Sequence, residues 1–270
     1  MTARLVLAAI VTATVALAPG AAHAVPDRAT RSGTEPLVGR VVVIDPGHQV
    51  GNRNFPRRIH RLVPAGGFRK PCNTTGTATN GGYPEASLTW DVALRLRERL
   101  RALGAVVRLT RHSNRQDRWG PCVDERGRAG NTEHADLKLS IHADGSFARG
   151  AHGFHVIMPP DRRPWTHDIY RASRRLALET RAALLDRGLD RATYVAGGDG
   201  LDVRRDLGTL NLSDVPTVMV ELGNMRNPRD AALMTRPGGR DRYARALGLA
   251  VLRYLDTRSE RCRRIAVICA

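Results

Sequence analysis

Lysine is nearly missing from this 270-residue sequence: only Lys70 and Lys138 stand among its 43 basic residues, and the rest are arginine. Set against 26 acidic residues, that leaves a formal charge of +17. A charge of this size points to an anionic partner such as cell-wall polymer, anionic lipid or nucleic acid, while the arginine bias is equally the mark of a GC-rich coding sequence. Aromatic residues are scarce, at 4%, and neither paired aromatics nor basic clusters mark a nucleic-acid module, which sets nucleic acid aside. No CxxC occurs, so a cysteine-based zinc site is not expected. Beyond the N-terminus no apolar run approaches the ~20 residues that a membrane span takes. There is no internal repeat and no separate wall-binding module.

The N-terminus carries Arg4, an apolar run from Leu5 to Ala18, a Pro19-Gly20 break and small residues at Ala22 and Ala24. That order predicts a signal peptide over 1–24, cleavage before Val25 and export. No cysteine lies near the cleavage point, so no lipid anchor is expected. A polar leader over 25–38, a catalytic domain over 39–258 and a tail over 259–270 follow. Four cysteines in an exported chain read as disulfides. Of the three possible pairings we favour Cys72 with Cys122, both in loops rich in Gly, Pro and Asn, and Cys262 with Cys269 in the tail.

Val41-Val42-Val43-Ile44 is a continuous apolar run stopped by Asp45-Pro46-Gly47-His48, the pattern of a buried strand in a parallel sheet. Residues 49–84 hold no sustained period and read as a long excursion with room for a hairpin. Leu88, Val92, Leu96, Leu100 and Leu103 recur at helical spacing, predicting an amphipathic helix from Glu85 to Gly104. Further strands are expected at 106–110, 137–141, 153–158 and 217–222, and further helices at 123–134, 165–187 and 241–256. Strands alternating with helices imply one α/β domain with a mixed, mainly parallel twisted sheet flanked by helices.

Three of these strands end in, or contain, polar groups that a buried strand does not need: His48, His142 and Glu221. Ligands bind at the carboxyl ends of strands in such sheets. Glu85 adds a carboxylate at a helix start, where its charge suits the dipole. Two imidazoles and one carboxylate form a common catalytic zinc set with a position left for water. A nearby unligated carboxylate can then move protons. His48, Glu85 and His142 suit the ligand roles and Glu221 suits the base. Each has a plainer reading, as a hydrogen-bonded loop histidine or a first-turn helix acid. Glu221 is the sharpest anomaly, because an unpaired carboxylate in an apolar strand is costly.

Taken in order, Val42-Val43-Ile44-Asp45-Pro46-Gly47-His48, the helix-opening Glu85, Ser140-Ile141-His142-Ala143-Asp144 and Val220-Glu221-Leu222-Gly223-Asn224 resemble the zinc-dependent N-acetylmuramoyl-L-alanine amidases. The resemblance covers residues 39–256. It implies a single α/β domain, one zinc ion on His48, Glu85 and His142, and Glu221 as the catalytic carboxylate. It also implies cleavage of the amide between N-acetylmuramic acid and L-alanine, with peptidoglycan or its soluble fragments as partner. A monomer that is secreted, periplasmic or wall-associated, without a stable membrane anchor, is expected. Two features depart from the common pattern: Gln49-Val50 where members often carry glycines after the histidine, and a Gly-rich insertion over 52–84. Both resemble a secreted, disulfide-containing branch of the family. Arg126 and Arg128 fall in a stretch similar to the family's, with a substrate-carboxylate or structural role. The other histidines, His155 among them, have no matching motif. The rival readings are another zinc peptidase of the wall and a catalytically silent wall-binding protein.

Overall fold

A computed structural model describes residues 35–256. The expected signal peptide, most of the leader and the proposed Cys262–Cys269 pair lie outside them. At the end of the expected leader Leu37 is buried, and its N–H donates to the Leu103 carbonyl at 2.8 Å.

The order of elements is β1 (Val41–Pro46), α1 (Pro56–Ile59), β2 (Leu62–Pro64), β3 (Arg69–Pro71), α2 (Glu85–Ala102), β4 (Val106–Leu109), α3 (Val123–Arg128), β5 (Leu137–Asp144), β6 (His155–Met158), α4 (Tyr170–Asp186), β7 (Leu201–Val203), α5 (Gly208–Asn211), β8 (Thr217–Asn224), α6 (Pro228–Thr235) and α7 (Pro237–Leu255). Six strands form one sheet in the order β4-β1-β5-β8-β6-β7. All neighbours run parallel except β6 and β8, which are antiparallel. The mixed, mainly parallel α/β sheet expected from the sequence is what forms. The excursion does contain a hairpin, β2 with β3.

Side chains alternate across a strand, and here the alternation separates core from chemistry. Val42, Ile44, Leu137, Leu139, Ile141, Val156, Val218 and Val220 share one continuous core with residues of α2, α4 and α7. Burying each such side chain contributes ~1.5–3 kcal/mol. The residues between them, Val43, Ile157 and Met219, belong to separate, smaller clusters on the opposite face. By the same parity Asp45, Lys138, Ser140, His142, His155 and Glu221 lie on that second face. The central strands β1, β5, β6 and β8 are largely buried on both sides, yet only one face is purely apolar.

Several boundaries differ from expectation for local reasons. The helix expected over 123–134 stops at Arg128. Lys138 Nζ donates to the Arg126 and Gly127 carbonyls there, and Gly130 turns the chain at φ +92°. Residues 165–169 form turns before α4 begins at Tyr170, and α7 begins at Pro237, a residue suited to the first helical turn. β7, α5 and α6 are too short to leave a period in the sequence.

Candidate active site

His48 follows the end of β1 in a left-handed conformation, φ +59°, which turns its ring back over the sheet edge. Its Nδ1 lies 3.1 Å from the Thr74 carbonyl and 3.2 Å from the Thr74 hydroxyl. A carbonyl only accepts, so the ring proton sits on Nδ1 and Nε2 points inward. There Nε2 meets Glu85 Oε1 at 3.2 Å. Glu85 opens α2 and is buried. Its Oε2 accepts from the Thr77 N–H at 2.9 Å, and its Oε1 accepts from the Ala143 N–H at 3.1 Å. His142, on β5, brings Nδ1 to 3.0 Å from the same Oε1.

Two glycines make this crowding possible. A Cβ on Gly47 would stand 2.4 Å from His142 Cε1, and one on Gly76 would stand 2.7 Å from Glu85 Oε2 and 2.8 Å from His48 Cδ2. Backbone therefore presses directly on all three ligand candidates.

One donor atom from each of His48, Glu85 and His142 lies within 4.8 Å of the others. A ring lone pair on His48 facing a carboxylate oxygen requires a cation between them, either a proton or a metal. Two imidazole nitrogens and one carboxylate oxygen match a catalytic zinc set, so the residues present fit the ion. Burial raises the Glu85 carboxyl, but the His48 charge and hydrogen bonds from both imidazoles outweigh it, holding the group well below the usual carboxylate range. Burial lowers His142 and favours the neutral ring that a metal needs. The cluster of Cys122, Asp124 and Glu125 is no rival, because Cys122 is in a disulfide.

Glu221 sits on β8 directly beside His142 in the parallel register and opposite His155 in the antiparallel one. Its Oε2 is buried with no hydrogen-bond partner among the described residues. Burial, then the negative charges of Glu85 and Asp144, push its carboxyl well above the usual range, with Arg204 opposing. The structure thus brings together all four residues named from the sequence.

Of the supports, sequence reasoning named only Arg126. Asp45 is fully buried and accepts from Arg126 at 2.8 and 2.9 Å, from the Ser140 hydroxyl at 2.6 Å and from the Thr110 hydroxyl at 2.6 Å. Burial would raise it, but the Arg126 charge and these bonds hold it well below the carboxylate range. Arg126 Nη2 also donates to His142 Nε2 at 2.9 Å, so the His142 ring proton sits on Nδ1, facing Glu85 Oε1, and the guanidinium orients the ring. Of the two roles open to Arg126 the structural one is occupied, and Arg128 pairs with Asp124 at 3.2 Å. Arg111 is buried without a carboxylate partner. It donates to the Pro46 carbonyl at 3.1 Å, the Ala86 carbonyl at 2.8 Å and the Ser113 carbonyl at 2.8 Å. It thereby ties the end of β1, which leads to His48, to the first turn of α2, which carries Glu85. Gln49, one of the two departures from the common pattern, is buried and lies 3.4 Å from Arg111 Nη1. His155 is buried; its Nδ1 has no partner among the described residues and its ring faces Tyr194 edge-on at 6.3 Å.

The insertion contributes to the site as well. Cys72 and Cys122 form the expected disulfide. It anchors the strand running into Thr74–Thr77 beside the start of α3, so the segment that seats His48 and Glu85 is tied to the helix that carries Arg126.

Residues 42–253 match the family profile described as N-acetylmuramoyl-L-alanine amidase. N-acetylmuramoyl-L-alanine amidase Rv3717 of Mycobacterium tuberculosis is 42% identical over 227 residues, covering 83% of this chain and 90% of its own. Among solved structures, the apo form of the N-acetylmuramyl-L-alanine amidase Ami1 from Mycobacterium abscessus superposes with a TM-score of 0.75 at 42% identity, covering 82% of this chain and all of the other. Ami1 from Mycobacterium smegmatis gives 0.75 at 40% identity, covering 81% of this chain and 98% of its own. The amidase AmiC2 of Nostoc punctiforme, at 22% identity and a TM-score of 0.59, shares the fold over 80% of this chain and 97% of its own.

Proposed function

The chain belongs to the N-acetylmuramoyl-L-alanine amidase family, and on that premise we propose that it hydrolyses the amide joining N-acetylmuramic acid to the L-alanine of the stem peptide, with one zinc ion held by His48, Glu85 and His142 and with Glu221 as the general base. The observation that carries this reading is the convergence of both imidazoles on one oxygen of Glu85, with Glu221 beside His142 on the next strand.

A zinc ion bound there supplies Lewis-acid polarisation of the scissile carbonyl and a water acid enough to ionise near neutral pH. The protein's part is proton movement and orientation. Glu221, with a carboxyl raised by burial and by its negative neighbours, accepts a proton from the attacking water and delivers it to the leaving alanine nitrogen. Thr74 fixes the His48 ring. Arg126 fixes His142, and the Thr77 and Ala143 amides hold the Glu85 carboxylate in one orientation. Pre-set ligands of this kind avoid reorganisation during the reaction.

Export is supported by the apolar N-terminal segment and by the disulfide, which persists in oxidising compartments. Among the described residues no helix is long and apolar enough to cross a membrane. We take the enzyme to act as a monomer on peptidoglycan or its soluble fragments.

The test is metal content and product analysis on the wild type and on Glu221→Ala. One zinc per chain in both, with a peptide beginning in free L-alanine released only by the wild type, is the expected result. Cleavage inside the stem peptide would replace the amidase reading with a wall peptidase. A metal-free, inert wild type would replace it with a wall-binding protein.

A further inference from the structure

Beside the ligand cluster lies a pocket of about 230 Å³, lined in part by Arg53, Thr75, Gly76, Thr77, Pro84 and Arg226. It borders the site directly. Gly76 sits against Glu85 and His48, Thr77 donates to Glu85, and Pro84 caps the helix that Glu85 opens. On the other side Arg226 follows shortly after Glu221, just past the end of β8.

Its electrostatics are one-sided. Two of the lining residues are arginines and none is acidic. Neither Arg53 nor Arg226 forms an ion pair among the described residues, unlike Arg126 with Asp45 or Arg128 with Asp124. Arg53 is exposed. Arg226 is half-buried and its Nε has no hydrogen-bond partner among the described residues, although the guanidinium is held in place. Its Nη1 donates to Asn80 Oδ1 at 3.3 Å, and its plane lies 4.8 Å from the ring of Phe147. The adjoining backbone is braced too, since Asn224 is buried and donates to the Ser146 and Ala151 carbonyls at 2.9 Å each. A positioned guanidinium with an unsatisfied buried donor, a second cation and no anion form a receptor for a carboxylate.

Resting on the amidase reading, we propose that this pocket is the subsite for the carboxylate of the stem-peptide residue after the alanine, with Arg226 and Arg53 as its specificity-determining residues. That residue bears a free α-carboxylate when it is γ-linked D-glutamate and an uncharged carboxamide when it is D-isoglutamine. The pocket distinguishes the two by charge alone. Arg226 is the main anchor, being ordered and partly desolvated; Arg53, exposed, adds attraction that salt screens.

The experiment uses the full zinc-loaded chain and the γ-methylamides of the dipeptides L-alanyl-D-glutamate and L-alanyl-D-isoglutamine, whose γ-carboxyl is blocked as it is in the γ-linked stem, with dissociation constants from calorimetry. Wild-type protein binds the acid form at least about tenfold more tightly, the scale of one hydrogen bond to a charged group. Arg226→Gln removes the preference, and Arg53→Gln reduces it in a salt-dependent way. Equal affinities in the wild type, a preference for the carboxamide, or a preference that survives in the double variant would each overturn the proposal. The wild-type comparison decides it even if a variant fails to fold. Cleavage of the two N-acetylmuramoyl dipeptides is followed alongside. Cleavage of both with equal dipeptide affinities sinks the subsite and leaves the amidase; discrimination without cleavage sinks the amidase and leaves the subsite.

Discussion

Replacing Cys72 and Cys122 together by alanine should lower stability by about 4 kcal/mol without emptying the metal site. The two cysteines are 50 residues apart in sequence, and closing a loop of that length removes unfolded-chain entropy worth about 4 kcal/mol at 25 °C. For a domain of this size the melting temperature should fall by ~8–16 °C. Alanine is the right replacement because both cysteines are buried against Val63 and Val123, where serine would bring a polar hydroxyl into an apolar cluster. The local geometry has independent support: the Val123 N–H donates to the Cys72 carbonyl at 2.7 Å, the Asn73 N–H to the Ile59 carbonyl at 3.0 Å, and the Asn73 side chain to the Pro121 carbonyl at 2.8 Å. Thr74 and Thr77 should therefore stay in place, and the folded variant should still bind one zinc. Scanning calorimetry of the metal-free proteins measures the first effect, and a chelator competition at 25 °C measures the second. A melting temperature lowered by less than ~2 °C would refute the entropic argument. A folded variant unable to hold zinc would refute the claim that these hydrogen bonds are enough to place the segment.

Two further predictions come from buried cations. Arg111→Met keeps most of the side-chain volume but leaves the Pro46 and Ala86 carbonyls without their donor; zinc affinity should drop ~10–100-fold, the effect of removing a support behind metal ligands, whereas a change under threefold by chelator competition would deny Arg111 its positioning role. Lys138 is held by burial at a pKa of about 7 against an ordinary 10.5. Its folded value is the lower one, so between these pH values the unfolded chain binds more protons and stability rises with pH, by at most ~1.4 kcal/mol per unit. Lys138→Met should flatten that rise in urea titrations from pH 7 to 10; an unchanged slope would show that the ammonium is charged in the fold.

What the sequence made legible was side-chain chemistry at strand ends. Val41–Ile44 and Leu137–Ile141 announce buried strands, and a histidine or carboxylate at their ends stands out against an apolar background. The cysteine pair in the core domain was readable for a similar reason, since Cys72 and Cys122 sit in loops with little else to hold them. The supports stayed hidden because they are of another kind. Thr74 and Thr77 act through a carbonyl and an N–H that every residue type but proline carries. Arg111 differs from dozens of surface arginines only by burial. The end of α3 is imposed by Lys138, ten residues beyond the helix. Nor does any local pattern foretell that β6 runs against β8 and sets His155 opposite Glu221.

The strand order carries a further consequence. Among the described residues the sheet's outermost positions are taken by β4, four residues long, and β7, three. Such stubs, carrying Arg108 and Asp202, offer a neighbouring chain very little unpaired backbone on which to zip up. The long, sticky strands β5 and β8 are sealed in the middle. A molecule framed this way can be concentrated against a polymeric wall and still resist clumping through its sheet edges.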